Sequence, residues 1–441
     1  MTLTTDRRRH DREILALAVP AFGALVAEPL FLMADSAVVG HLGTAQLAGV
    51  GVASAALTTA TGVFVFLAYA TTAAVARRIG AGDRRAAVQQ GIDGIWLALL
   101  LSAGVVVLTL LLAPWTAELL GASPTAAPYA VTYLRISALG IPAVLMVMAA
   151  TGVLRGLQDT RTPLLVAVVG FTANLGLNVG LVYGAGLGVA GSAWGTVLAQ
   201  TGMAAAYLYV VVRGARRERA SLRPDAAGIR ACAKAGGPLM VRTLSLRAIL
   251  MIATAVAAGL GDDQMAAHQI AMTVFLFIAF ALDAIAIAGQ AIIGRYLGAG
   301  DVPGARAATR RMIEWGVGAG VLLGLLVVVA RPLYVPLFTP DPQVQAQLDT
   351  ALLLLALCQP VAGLVFVLDG VLMGAGDGPY LAWAMLGTLA VFAPAALAVP
   401  ASGTGLAGLW WAMNLFMLVR GGFLTWRARS GRWLVTGAVR S

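Results

Sequence analysis

Hydrophobic residues occur along this chain in long runs, and short polar segments separate one run from the next. Each run contains about 20 or more mostly apolar residues, which is the length a helix needs to cross the hydrocarbon core of a membrane. Twelve runs are found, at residues 14–40, 48–76, 91–113, 128–153, 163–183, 189–212, 236–260, 265–294, 313–337, 347–373, 380–400 and 406–426. The pattern predicts an all-α integral membrane protein with twelve transmembrane helices and no sizeable soluble domain.

The composition agrees with this prediction and narrows the function. Of the 441 residues, 60% are hydrophobic and only 11% are charged, whereas about one quarter of the residues in a soluble protein are charged. The two cysteines, Cys232 and Cys358, lack metal-site spacing. No nucleophile motif, phosphate loop or His/Cys cluster occurs either. We therefore expect no enzyme activity, cofactor or metal centre.

The basic residues are distributed unevenly among the loops. Of the 30 lysines and arginines, 25 lie at the two termini or in the connections that follow the even-numbered spans. Because loops rich in Lys and Arg stay in the cytoplasm, both termini are predicted to be cytoplasmic, in a multi-pass protein of the cell membrane. The basic run 213–234 has no interleaved aromatic residues, so it does not indicate nucleic-acid binding.

The two halves of the sequence resemble each other. Equivalent residues are offset by 218 positions, as in Pro20 and Pro238, Asp83 and Asp301, Pro142 and Pro360, and Asp159 and Asp377. With six spans per half, both copies enter the membrane in the same sense. The repeat predicts two six-helix lobes, residues 1–218 and 219–441, related by a pseudo-two-fold axis along the membrane normal.

Several polar residues of the first half lie inside predicted spans. Glu28 and Asp35 are seven residues apart, and Asn174 and Asn178 are four apart, so each pair shares one helix face. With Thr196, they predict an oxygen-rich site for a proton or a hard cation. A carboxylate inside a membrane is by default a functional candidate, because its burial is costly. The alternatives are placement of Glu28 at the headgroups, pairing of the acids with neighbouring helices, and asparagines that only join helices.

The second half does not repeat this site. Ala253 stands at the equivalent of Asp35, whereas Asp283 and Asp369 lie in later spans. We assign these two acids to the cargo cavity. The alternative is a structural pairing with Arg242 and Arg247, which lie in the seventh span.

Five spaced motifs carry a resemblance to a known family. They are EPLFLMADSAVVGHLG at 28–43, RIGAGD at 78–83, LRGLQDT at 154–160, AHQIA at 267–271 and LDGVLMGAGD at 368–377. The chain resembles the multidrug and toxic compound extrusion (MATE) family, in its DinF-like branch. This resemblance implies two pseudo-symmetric helical bundles and export of organic, often cationic, compounds against an inward flow of protons or sodium.

The resemblance also implies roles for individual residues. Asp35, Asn174 and Thr196 match the family's ion-coupling positions. Pro20 matches the proline at which helix 1 bends, and Glu28 and Phe31 fall where cavity-lining residues are expected. Asn178 stands where the family usually has a second aspartate. Because fewer negative charges stabilise a dehydrated cation less well, this departure favours proton over sodium coupling.

We therefore predict a proton-coupled antiporter that exports small amphipathic organic cations and acts as a monomer within the lipid bilayer. Sodium coupling at Asp35, Asn174, Asn178 and Thr196 remains an alternative. Export of organic acids and flipping of lipid-linked precursors also remain open as activities of the same superfamily. A passive channel and a membrane-embedded enzyme are less consistent with the sequence.

Overall fold

The protein is helical from end to end in the computed structural model, which describes residues 2–439 except for the side chains of residues 2–6 and of Glu28. Within this range there is no β-strand. The helices are α1 Thr2–Gly40, α2 Thr44–Gly62, α3 Phe66–Gly80, α4 Arg84–Leu119, α5 Ala127–Ala138, α6 Ile141–Gly156, α7 Arg161–Val179, α8 Gly188–Arg217, α9 Ala226–Gly259, α10 Asp262–Gly298, α11 Val302–Phe338, α12 Pro342–Gly374, α13 Gly378–Leu397, α14 Val399–Ser402 and α15 Gly405–Ser430.

Most of the predicted spans correspond to these helices. In the described part of the chain, ten helical segments are long and apolar enough to cross a membrane. An eleventh span is formed if α5 and α6, which meet at an angle of 52°, are counted together. The all-α membrane architecture is thus confirmed. The predicted twelfth span coincides with α15, which is not in that set and stays a prediction.

The repeated Ala-Gly-Asp motif forms the same turn twice. Gly82 and Gly300 have φ values of +80° and +75°, a left-handed conformation that glycine adopts without steric cost. The aspartate that follows each glycine caps the next helix. Asp83 accepts a hydrogen bond from Ala86 N, and Asp301 accepts one from Gly304 N, both at 2.8 Å. The motif therefore ends one helix and starts another.

The chain forms two compact units, each with its own core. One consists of Gly23–Gly237, and the other combines Met1–Phe22 with Pro238–Ser441. They differ from the predicted lobes in two segments, 1–22 and 219–237. The chain changes unit inside α1, close to Pro20, and inside α9, at Pro238. The lobe boundary at residue 218 and the pseudo-two-fold axis stay predictions.

Close helix packing is repeated within each unit. A Cβ atom on Gly152 of α6 would lie 2.5 Å from Ala68 O of α3. In the other unit, a Cβ atom on Gly370 of α12 would lie 2.3 Å from Ala286 O of α10. These residues are equivalent under the 218-residue offset. Because only glycine permits such an approach, the repeat preserves the contacts that hold each unit together.

Candidate functional site

Asp35 is a buried carboxylate held by neutral donors within the unit Gly23–Gly237. Its side chain lies on α1, and the residue is 5% exposed. Its Oδ1 atom accepts hydrogen bonds from Asn178 Nδ2 of α7 at 2.5 Å and from Ser192 Oγ of α8 at 2.9 Å. Among the described side chains, no lysine or arginine pairs with Asp35. Three helices thus converge on one acid that has no counter-ion in the described part of the chain.

A second amide extends the site along α7. Asn174 Nδ2 donates to Thr196 Oγ1 of α8 at 3.3 Å. Asn174 and Asn178 are at most 1% exposed, yet their Oδ1 atoms have no hydrogen-bond partner among the described residues. The predicted residues Asp35, Asn174, Asn178 and Thr196 therefore occupy one region, where Thr196 contacts Asn174. Two unpartnered acceptors beside a carboxylate leave room for a hydrogen-bond donor or a cation.

Two polar residues of this site were not predicted. Ser192 precedes Thr196 by four residues on α8, so helical periodicity places both on one face and gave a signal for it. Tyr133 of α5 is 4% exposed, and its hydroxyl group lies close enough to Asp35 to interact with it electrostatically. The sequence around Tyr133 resembles an ordinary apolar helix. Only the tertiary structure brings this tyrosine to the carboxylate.

A glycine on α8 makes room for the amide of Asn178. A Cβ atom added to Gly195 would lie 2.0 Å from Asn178 Oδ1 and 3.1 Å from its Cγ. Real Cβ atoms do not approach other atoms so closely, so residue 195 must lack a side chain if Asn178 is to reach Asp35. Gly195 is therefore a structural part of the site.

A cavity of about 300 Å³ lies in the same unit. Its lining is mostly apolar, with hydroxyl groups, two tyrosines, one glutamine and one arginine among the described side chains. Phe31, a predicted cavity residue, stacks on Phe171 with ring centroids 5.0 Å apart. Tyr133 and Thr196 also line the cavity. Since Tyr133 also interacts electrostatically with Asp35, this residue belongs to both the cavity and the carboxylate site. The side chain of Glu28 lies outside the described residues.

In the other unit, the acid Asp369 is engaged by two arginines. Asp369 of α12 is 4% exposed and forms ion pairs with Arg242 of α9 and with Arg420 of α15, the latter at 3.0 Å. Asp283, which is half-buried, interacts electrostatically with Arg420. The contacts of Asp369 match the structural pairing with Arg242 and do not support its assignment to a cargo cavity. Arg420 is a partner that the sequence did not reveal.

Comparison with protein families identifies both halves of the chain. The family model described as MatE matches residues 20–179 and again residues 238–396. The two matches begin 218 residues apart, which is the offset of the internal repeat. The chain belongs to the MATE family of transporters.

Similar proteins extend over nearly the whole length of this transporter. It is 32% identical to Protein DETOXIFICATION 44, chloroplastic, of Arabidopsis thaliana, over 96% of this chain and 83% of that protein. It is 30% identical to DNA damage-inducible protein F of Escherichia coli, over 96% and 94% of the two chains. The fold matches the crystal structure of the Vibrio cholerae MATE transporter VcmN in the bent form, with a TM-score of 0.88 and 23% identity over 97% of this chain and 99% of that chain. The predicted resemblance to the family, and its non-enzymatic class, are confirmed.

The second MATE repeat contains a filled counterpart of the cavity. There, a residual space of about 10 Å³ is lined by Phe275, Leu355, Cys358, Gln359, Trp410, Met413, Asn414 and Met417. Seven of these eight residues are the repeat equivalents of residues that line the cavity of the first repeat, at an offset of 218 up to Gln359 and of 217 in α15, where the second repeat is one residue shorter. Larger side chains account for the difference: Cys358 replaces Gly140, and Met413 replaces Thr196. The residual space suits at most one water molecule, so this counterpart is too small for cargo.

Proposed function

We propose that this MATE transporter exports organic, mainly cationic and amphipathic, compounds in exchange for protons. The single observation that carries the proposal is Asp35, a buried carboxylate that has no basic partner among the described side chains and that interacts with Tyr133, a residue of a cavity of cargo size. A carboxylate kept inside a membrane protein without a counter-ion is typical of proton pathways.

The hydrogen bonds around Asp35 depend on whether its carboxyl group is protonated. An ionised carboxylate only accepts hydrogen bonds, whereas a protonated one also donates. In the structure, Asn178 and Ser192 both donate to Asp35 Oδ1. Loading of a proton weakens these charge-assisted bonds and adds a donor, for which the unpartnered Oδ1 atoms of Asn174 and Asn178 are acceptors. The two protonation states thus favour different arrangements of α1, α7 and α8.

Tyr133 and Thr196 link the proton site at Asp35 to the cargo cavity. Both line the cavity, and Tyr133 also interacts electrostatically with Asp35. A change in the Asp35 network therefore alters the cavity wall. Since linkage is reciprocal, bound cargo must weaken proton binding by the factor by which protons weaken cargo binding. In this scheme, α1 bends near Pro20 when the proton is loaded.

The cargo class follows from the cavity and from the register of α1. The stacked rings of Phe31 and Phe171 offer an aromatic surface to a flat or cationic molecule. Leu25 and Leu32 line the cavity. The sequence predicts a cavity-lining role for Glu28, and a carboxylate in the cavity would favour cationic over anionic cargo. Export of an organic acid or a lipid-linked precursor is the competing activity.

Sodium is the second candidate for the coupling ion, and one observation favours it. The unpartnered Oδ1 atoms of Asn174 and Asn178 are hard oxygen ligands close to a carboxylate. Such oxygens also suit a monovalent cation. Only one of the predicted ligands carries a formal negative charge, however, which favours the proton.

Transport by the purified protein in liposomes tests the proposal. Efflux of a fluorescent organic cation such as ethidium is measured with an imposed pH gradient at fixed sodium, and with a sodium gradient at fixed pH. We expect efflux with the pH gradient only, and its loss in Asp35→Asn. The control Asp349→Asn, a half-exposed acid paired with Arg331, should retain efflux. Efflux driven by sodium alone, or an active Asp35→Asn variant, would overturn proton coupling at this residue. Export of citrate in place of the dye would overturn the cargo class.

The orientation in the cell membrane is a separate part of the proposal. Single cysteines are introduced at Gly403 and at Ser221 in a background in which Cys232 and Cys358 are replaced by alanine. We expect an impermeant maleimide to label the cysteine at 403 in intact cells and to label the one at 221 only after the membrane is opened. The reverse pattern would mean that the termini lie outside the cytoplasm.

A further inference from the structure

The end of α8 carries a basic depression at the surface of the unit Gly23–Gly237. Tyr209, Arg213, Arg216 and Arg217 line a space of about 470 Å³ together with Val212. The tyrosine and the three arginines follow one another at spacings of four, three and one, so they lie on one face of the helix. All four are exposed. The depression therefore presents three positive charges and one aromatic ring to the surroundings.

None of the acids whose side chains the structure describes neutralises these charges. Among the described side chains, none of the three arginines forms an ion pair, although the chain pairs other arginines well. Arg311, for example, contacts Asp11 at 2.6 Å and Glu314 at 2.5 Å. A cluster of three unpaired guanidinium groups attracts an anion from outside the chain.

The position of the cluster indicates which anion is available. The apolar part of α8 belongs to a membrane span that ends in the arginines. Tyr209 is 66% exposed, which is typical of the aromatic residues at the level of lipid headgroups. The chain that follows α8 binds α4, and the four residues stay exposed. Ser221 N donates to Gln89 Oε1 at 2.9 Å, and Trp96 Nε1 donates to Leu222 O at 3.1 Å. The basic face is thus left open at headgroup level.

We propose that Tyr209, Arg213, Arg216 and Arg217 bind the headgroup of an anionic phospholipid. Each guanidinium group offers paired N–H donors that match the oxygens of a phosphate. Basic clusters next to a span recognise anionic headgroups in this way. Arg216 and Arg217 lie in the last turn of α8 and also complement its C-terminal carbonyl groups. Arg213 lies a turn earlier, so its charge is available for the lipid.

Native mass spectrometry of the full chain in detergent tests the site. The Kd is measured for phosphatidylglycerol, for phosphatidylcholine and for glycerol 3-phosphate, which carries the same phosphate chemistry without acyl chains. We expect tighter binding of phosphatidylglycerol than of phosphatidylcholine. Neutralisation of all three arginines to glutamine should weaken phosphatidylglycerol binding about 100-fold, at about fivefold per arginine. The control Arg84→Gln with Arg85→Gln, a pair of exposed arginines at the start of α4, should change binding less than twofold.

The three ligands and the variants distinguish lipid binding from binding of a soluble anion and from a purely structural role of the arginines. Equal affinities for the two lipids would overturn the proposal, and so would equal losses in the site variant and the control. Equally tight binding of glycerol 3-phosphate would mean that the ligand is a soluble phosphate compound. If the triple variant does not fold, Arg213→Gln alone must still weaken phosphatidylglycerol binding about fivefold. A variant that loses stability to the same extent in both lipids, with unchanged affinity, would show that the arginines act only on the helix end.

Discussion

Substitution of Gly195 by alanine should break the contact on which the Asp35 site depends. The new Cβ atom would lie 2.0 Å from Asn178 Oδ1, about 1.4 Å closer than ordinary van der Waals contact allows. Asn178 is fully buried, so its amide cannot move out to solvent. A displacement of this size exceeds what the 2.5 Å hydrogen bond to Asp35 can absorb. Asn178 should therefore lose its hydrogen bond to Asp35 in this variant.

The expected cost combines two effects. Overpacking a dense core costs about 1–3 kcal/mol, and loss of a hydrogen bond to a charged group costs about 1.5–3 kcal/mol. Replacement of a helical glycine by alanine returns about 0.5–1 kcal/mol. We therefore expect the free energy of unfolding to fall by about 2–5 kcal/mol, and pH-driven efflux to fall with it.

The assay compares Gly195→Ala with Gly202→Ala, a substitution on the same helix. A Cβ atom on Gly202 would meet no atom within 4 Å, so this variant should be as stable as the parent protein or more so. The free energy of unfolding is measured by titration with sodium dodecyl sulfate in mixed micelles, and efflux is measured in liposomes. In an Asn178→Ala background, the 2.0 Å clash with Oδ1 is absent and only the 3.1 Å approach to the backbone N of residue 178 remains, so Gly195→Ala should cost less than it does in the parent protein. A stable, fully coupled Gly195→Ala variant, or an equal cost in both backgrounds, would refute this reasoning.

Three further substitutions test other parts of the structure. Ser192→Ala removes a donor to Asp35 Oδ1, so it should lower the free energy of unfolding by about 1.5–3 kcal/mol and shift the pH dependence of efflux; an unchanged pH profile would contradict its place in the site. Gln200→Met copies Met417 of the filled counterpart and should weaken ethidium binding, measured by fluorescence, without lowering the melting temperature; unchanged affinity would mean that cargo binds elsewhere. Arg420→Met removes a partner from the buried Asp369 and should cost about 3–5 kcal/mol in the same detergent titration; a loss below about 1 kcal/mol would show that Arg242 suffices.

The sequence predicted the composition of the site better than its contacts. Asp35, Asn174, Asn178 and Thr196 stand out because polar residues are rare inside apolar runs, and they do lie together. The sequence did not predict which residues pair. Ser192 donates a hydrogen bond to Asp35, whereas Thr196 accepts one from Asn174. Helical periodicity predicts the face of the helix on which a side chain lies. The residue that it contacts depends on the rotation and spacing of the neighbouring helix.

Asp369 of the second half illustrates the same difference between composition and contacts. Asp369 has the sequence signature of a functional acid, a carboxylate inside an apolar run. Its two arginine partners come from α9 and α15, which are 127 and 51 residues away in the sequence. No local pattern distinguishes an acid that has such partners from one that lacks them.

The sequence alone determined the membrane class, the helical architecture, the internal repeat and the family. These features depend on properties that recur along the chain, namely the length of apolar runs, the distribution of charge and the spacing of motifs. Tertiary structure alone decided that Tyr133 reaches Asp35, that Gly195 makes room for Asn178, and that one repeat has a cavity whereas the other is filled. Such features depend on distances of a few ångströms between helices that are far apart in the sequence, and packing at that scale follows from the sum of all side-chain volumes rather than from any single motif.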